Sequence, residues 1–135
     1  MAKKMVCQAQ PLIAVKNVPK SSKFYQQVLQ CKSGHGGKEY EQLIVKDRMI
    51  LQLHRWEVEH NHGNLIGKEK QKSRGNGTVL WFMVDDFDRS VKAIKKSKAK
   101  ILKDVEINEN ANHREIWFND PDGYVVVVAG HYGDI

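Results

Sequence analysis

The chain repeats itself, and that repeat dictates most of what it can fold into. Val15-Lys-Asn17-Val18-Pro-Lys-Ser21 reads against Val84-Asp-Asp86-Phe87-Asp-Arg-Ser90 at a constant offset of 69 residues. Each copy follows an apolar run that reads as a strand, Leu12 to Val15 and Val79 to Val84, and each copy opens a helix. Asn17 and Asp86 suit the N-cap, because their side-chain oxygens accept hydrogen bonds from the free amides of a first turn. Pro19 falls inside that turn, where its missing N–H costs nothing. Phe24, Tyr25, Val28 and Leu29 then form one apolar stripe, and Phe87, Val91 and Ile94 form another. Both spacings predict amphipathic helices with one buried face.

Three strand-like segments follow each helix. In the first copy they run about Ser33 to Gly37, Tyr40 to Val45 and Met49 to His54; in the second, about Ala99 to Val105, His113 to Phe118 and Tyr124 to Ala129. Asp47-Arg48 and Asp120-Pro-Asp-Gly123 mark the turns between the last two strands of each copy. In the latter, proline presets φ and glycine supplies the positive φ that closes a tight hairpin. Each half therefore reads as βαβββ, over about residues 8–56 and 78–131, with a polar linker at about 57–77 rich in Gly, Lys and His. The expectation is one α+β domain over residues 1–135.

Composition removes several alternatives. Apolar residues make up 41% of the chain and charged residues 28%, which are globular proportions. The apolar run Val125 to Ala129 is far too short to cross a bilayer. The N-terminus is basic but has no apolar stretch behind it, so no signal peptide is read and a cytoplasmic location is expected. Cys7 and Cys31 fit no CxxC spacing and are too few for a disulfide scaffold, so they read as reduced thiols. The net charge of +6 sits largely in Lys92 to Lys103. These bases are not interleaved with stacking aromatics and no nucleic-acid motif is present, so a solvated helix face is expected rather than a nucleic-acid interface.

Two βαβββ halves, the Val15-Lys-Asn-Val-Pro-Lys-Ser-Ser-Lys-Phe-Tyr25 segment and the Ile116-Trp-Phe-Asn-Asp-Pro-Asp-Gly-Tyr124 segment together resemble the vicinal oxygen chelate superfamily. That group includes glyoxalase I, fosfomycin-resistance enzymes, extradiol dioxygenases and bleomycin-resistance binding proteins. The resemblance covers nearly the whole chain. It implies two curled mixed sheets that form a cup, and homodimers, often with exchanged halves.

The resemblance also implies a divalent metal held in the cup by His, Glu or Gln, whose open positions polarise a substrate oxygen. The corresponding positions here are Gln10 on the first strand, Gln52 on the fourth, Val79 where the enzymes have histidine, and Val127 where they have glutamate. Valine has no donor atom, and an amide oxygen cannot offset a dication's charge. No metal and no other cofactor is therefore expected. A rebuilt site would have to come from His54, His60 and His62, or from His113 and Glu115, which share one strand face. Zinc needs three or four converging ligands, and no spacing here guarantees them.

If the cup forms, alternation selects its wall. Gln10, Gln52, His54, Trp81 and Met83 are the ligand-binding residues it gives, in a mostly apolar surface with few polar points, and Arg114 and Glu115 beside Trp117 are added because they resemble an Arg-Glu pair common before the Asp-Pro-Asp-Gly turn in the binding-type members. The expected function is metal-free binding of a small aromatic or anionic molecule, the basic charge favouring an anion. The alternative is a divergent lyase, isomerase or dioxygenase-like enzyme with a relocated or absent metal. His54, His113 or Glu115 would then serve as acid or base. A third reading is an interaction subunit whose pocket is filled by Trp81 and Met83.

Overall fold

A computed structural model describes residues 7–58 and 75–135. The elements, in chain order, are β1 (Leu12–Val15), α1 (Val18–Leu29), β2 (Lys32–Ser33), β3 (Tyr40–Val45), β4 (Arg48–Arg55), β5 (Leu80–Met83), α2 (Phe87–Lys96), β6 (Ile101–Asn108), β7 (His113–Asn119) and β8 (Val125–Ala129). This is βαβββ twice, an α+β fold. The strands form two four-stranded mixed sheets, ordered β1-β4-β3-β2 and β5-β8-β7-β6. In each, the first strand of the half pairs in parallel with the last: β1 with β4 and β5 with β8.

The helix signals are realised as local chemistry. The Asn17 carboxamide accepts from the Lys20 amide at 3.0 Å, and the Asp86 carboxylate accepts from the Arg89 amide at 3.1 Å. Pro19 lies in the first turn of α1. Val18, Tyr25, Val28 and Leu29 of α1 and Phe87 and Ile94 of α2 are buried, while Phe24 and Val91 pack half-buried against the core. That core is one cluster, fed by both helices and by one face of each sheet: Ile13, Leu51 and Leu53 from the first, Ile116, Phe118, Val126 and Val128 from the second.

Two segments differ from the sequence expectation. The strand expected over Ser33 to Gly37 is only Lys32–Ser33. Residues 34–37 turn instead, because the Glu41 carboxylate draws in the His35 amide at 3.0 Å and the Gly36 amide at 2.8 Å. β6 ends three residues later than expected. It is an edge strand with two register breaks and little burial, so it carries no period-two signal.

The Asp-Pro-Asp-Gly turn locks the halves together. Gly123 has φ of 92°, the positive value the hairpin requires. Asp120 folds the turn on itself by accepting from the Asp122 and Tyr124 amides, each at 2.9 Å. Its other oxygen accepts from the buried Tyr25 hydroxyl at 2.6 Å. Asp122 accepts from the Lys16 amide at 2.8 Å, and the Tyr124 hydroxyl donates to the Ala14 carbonyl at 2.8 Å. The second half's hairpin is thus seated on the β1–α1 junction of the first. Among the described residues no helix is long and apolar enough to cross a membrane.

Candidate functional site

Each sheet buries one face in the shared core, so period-two alternation puts a defined set of side chains on the other. On the second sheet, pairing aligns Trp81, Val127, Trp117 and Lys103 in one row across β5, β8, β7 and β6. The next row is Met83, Ala129, Glu115 and Glu106, and His113 lies beyond it beside Asn108. Trp81 and Trp117 meet edge to face, with centroids 6.0 Å apart and planes at 88°. Val127 lies between them in the row and is fully buried. Trp81 is 46% exposed and leans on His113 at 5.9 Å. Lys103 Nζ stands 5.8 Å over the Trp117 ring.

Below the aromatics lies a buried polar group. His113 Nε2 is 3.1 Å from Glu115 Oε2, and Asn108 Nδ2 donates to Glu115 Oε1 at 3.2 Å. Glu115 and His113 are 4% and 9% exposed. Such a pair is expensive to bury unless its hydrogen bonds are satisfied, and these are. It can hold an imidazole in one orientation, which suits proton transfer or ligand recognition.

The outer face of the first sheet is amide-rich. Leu12, Gln52 and Gln42 share one row, and Ala14, His54 and Tyr40 the next. The Tyr40 hydroxyl donates to Gln52 Oε1 at 2.5 Å and accepts from Gln42 Nε2 at 3.2 Å. Gln52 Nε2 donates to the Gln10 carbonyl at 2.9 Å. His54 is 3% exposed, and its Nδ1 donates to the Arg55 carbonyl at 2.7 Å.

The expected wall residues therefore divide between two sheets. Trp81, Glu115 and Trp117 come together on one; Gln52 and His54 come together on the other, with Gln10 reaching that network through its backbone. Met83 sits at the end of β5, 62% exposed. Arg114 is on the helix-facing side, where it bonds Asp88 at 2.9 Å and Asp134 at 3.1 Å and lies 4.7 Å over the Phe87 ring. Strand alternation places it opposite its neighbour Glu115, and it is not on the face that carries Trp81 and Trp117. His60 and His62 lie outside the described residues.

Four side chains on these faces escaped the sequence reading: Tyr40, Gln42, Lys103 and Asn108. The first two alternate with the predicted Gln52 row and were recoverable from strand pairing. Lys103 and Asn108 were not, because the bulges of β6 break its register.

The metal positions implied by the resemblance can be tested on side-chain chemistry. Val127 and Val79 offer only hydrocarbon, the Gln52 amide is already bonded on both ends, and Gln10 is exposed. Among the described residues, no three His, Cys, Asp or Glu side chains are grouped to hold an ion. This donor set does not fit a divalent cation.

Comparison with known proteins bears on the family. The family model described as glyoxalase-like domain matches residues 8–131. No curated protein matches the sequence. Several solved structures share the fold. A protein from the mobile metagenome of V. pseudocholerae is 21% identical, with 96% of this chain and 98% of that one covered and a TM-score of 0.67. The fosfomycin resistance protein FosX from Listeria monocytogenes is 12% identical over 94% of each chain, at 0.68. Lactoylglutathione lyase from Agrobacterium tumefaciens is 15% identical over 95% and 96%, at 0.67.

Proposed function

Since the chain belongs to the glyoxalase-like domain family, we propose that it is a metal-free small-molecule binding protein whose cup is closed between two copies of the chain. The row Trp81–Val127–Trp117 carries this reading. Where the enzymes of the resembled superfamily present a carboxylate to a metal, this chain presents a buried hydrocarbon between two indole rings. That surface suits a flat aromatic ligand, with the His113–Glu115 pair as its polar anchor.

Unpaired sheet edges support the dimer. β1 and β5 each end a sheet and pair on one side only. Around them Leu12, Val79, Trp81 and Met83 are 39% to 62% exposed. The Gln52–His54 face and the Trp81–Trp117 face lie on separate sheets that bury their backs in one core. A second copy that set its first sheet against the other's second sheet would cover both edges and bring the two faces together.

A ligand screen by thermal shift, with and without chelator, tests the reading, since a ligand of the folded state raises Tm by mass action. The expected hits are aromatic, indifferent to chelator and lost in Trp81→Ala. Elemental analysis showing about one Ni, Zn, Mn or Fe per chain would reject it. A monomer by sedimentation at micromolar concentration would remove the shared cup. A second reading, a divergent lyase or isomerase, draws on the His113–Glu115 pair as base and orienter. It requires that any turnover found fall in both His113→Asn and Glu115→Gln.

A further inference from the structure

The internal repeat supplies two equivalent docks, and among the described residues only one is filled. The filled dock is the β1–α1 junction, where the hairpin after β7 seats Asp122 on the Lys16 amide at 2.8 Å and the Ser21 hydroxyl at 3.3 Å. The Tyr124 ring packs beside them and bonds Ala14. An acidic hairpin thus meets a junction carrying Lys16 and Lys20.

The 69-residue offset places Met83, Asp85 and Ser90 where Ala14, Lys16 and Ser21 stand. Strand register pairs Leu12 with Gln52 and Trp81 with Val127, so Met49 answers to Tyr124 and Asp47 to Asp122. The first-half hairpin therefore brings no ring, and its acid would meet Asp85 and Asp86. Among the described residues, no hydrogen bond joins the 45–49 turn to the 83–90 junction. A cavity of about 340 Å³ lies between them, walled by Leu29, Val45, Ile50 and Phe82, with Asp85 and Ser90 at its polar end. Ser90 is 3% exposed, and no hydrogen bond of its hydroxyl is found among the described residues.

The charge of this dock is reversed. Asp85 replaces Lys16, and Asp86 replaces Asn17. The cavity also abuts the C-terminal end of α1 at Leu29 and Gln30, a helix with no basic residue in its last turn. Both features favour a cation, whereas the N-terminal end of α2 and Arg89, which line the same cavity, oppose one, so the preference rests on Asp85. Arg89 faces the same space and donates to Gln30 Oε1 at 3.0 Å, while His131 lies 2.6 Å from Asp85. An incoming ammonium would displace His131 from that carboxylate.

We propose that this cavity is a second small-molecule site, separate from the cup, that takes a single-ring aromatic amine. The ring enters as Tyr124 does in the matching dock, and the ammonium meets Asp85 with Ser90 Oγ accepting a further hydrogen bond. A cavity of about 150 Å³ suffices for benzene, so the volume here admits a ring with a short arm.

The test titrates tyramine into the full-length ¹⁵N-labelled protein. Saturable shifts at the Phe82, Asp85, Arg89 and Ser90 amides are expected. 4-Hydroxyphenylacetate, with the same ring and opposite charge, should bind at least about threefold more weakly, and Asp85→Asn should weaken tyramine by about the same factor, the range of an exposed ion pair. Ile50→Trp fills the cavity and should abolish the shifts. Should that variant not fold, exposed Asp85 still decides the matter. No saturable shift in this cluster, equal binding of the acid, or an undiminished Asp85→Asn would each overturn the proposal. Shifts confined to the Trp81 and Trp117 indoles would overturn it while supporting the cup.

Discussion

Glu41→Gln is the most informative single change in the first half. Glu41 is 3% exposed, yet five donors converge on its carboxylate. Oε1 accepts from the amides of His35, Gly36 and Gln42 at 3.0, 2.8 and 3.0 Å; Oε2 accepts from the Ser22 and Ser33 hydroxyls at 2.8 and 2.7 Å. Burial works to raise its pKa, but the Gly36 amide, the two hydroxyls and the His35 amide outweigh burial and hold it below the usual carboxylate range. Glutamine keeps the shape and one acceptor. Three charge-assisted bonds become neutral ones, and the two hydroxyls must turn to accept from the new NH₂ group. Ser22 already accepts from Gln26 Nε2 at 2.9 Å, so its own proton is left without a partner. Relief from burying a charge returns part of the loss, which leaves a net cost of about 2 kcal/mol at neutral pH. Urea unfolding at pH 7 and near pH 3 measures it. Because the folded-state pKa is depressed, this stabilisation is full above the unfolded value and is lost as pH falls through the folded value. The gap between wild type and Glu41→Gln should therefore shrink in acid. A gap under about 0.5 kcal/mol at pH 7, or one unchanged by acid, would refute the argument.

Two further outcomes follow from buried groups. Tyr25→Phe removes the 2.6 Å bond to Asp120 and should cost about 2 kcal/mol in urea unfolding. Burial already raises the Asp120 pKa, and the Tyr25 hydroxyl opposes that rise, so a carboxyl NMR titration should place Asp120 higher still in the variant; an unmoved titration would contradict this. Burial pushes the Cys31 thiol up to about 11, whereas Cys7 is exposed. At pH 8 a thiol reagent should therefore modify one cysteine quickly and the second only on unfolding, and rapid loss of both would count against the packing around Cys31.

What the sequence made legible was the part governed by local, repeating rules. The N-caps at Asn17 and Asp86, the Gly123 hairpin and the helix stripes each answer to a constraint within a few residues of chain, and each appears where expected. Alternation likewise separated Trp81, Glu115 and Trp117 from the core. It failed where a residue's role is set by a distant partner. The resemblance pairs Arg114 with Glu115, but neighbours on a strand lie on opposite faces, and Asp88 and Asp134 claim Arg114. Glu41 reads as an ordinary polar residue of a half-exposed strand, and nothing nearby in sequence announces Ser22 as its donor.

The same distinction explains why the repeat predicts the fold better than the site. Duplication preserves backbone instructions, such as caps, turns and period-two alternation, because each half needs them to fold. It does not preserve the chemistry of matching positions. Lys16 and Asp85 hold equivalent places with opposite charge, and Gln52 and Val127 hold equivalent places on the outer sheet faces with and without polar atoms. The Tyr124 dock binds the chain to itself, and its counterpart leaves a cavity. A duplicated scaffold that differs most at its matched surface positions can therefore hold two unlike environments on one backbone plan, and any ligand it takes will distinguish the halves by side-chain chemistry rather than by shape.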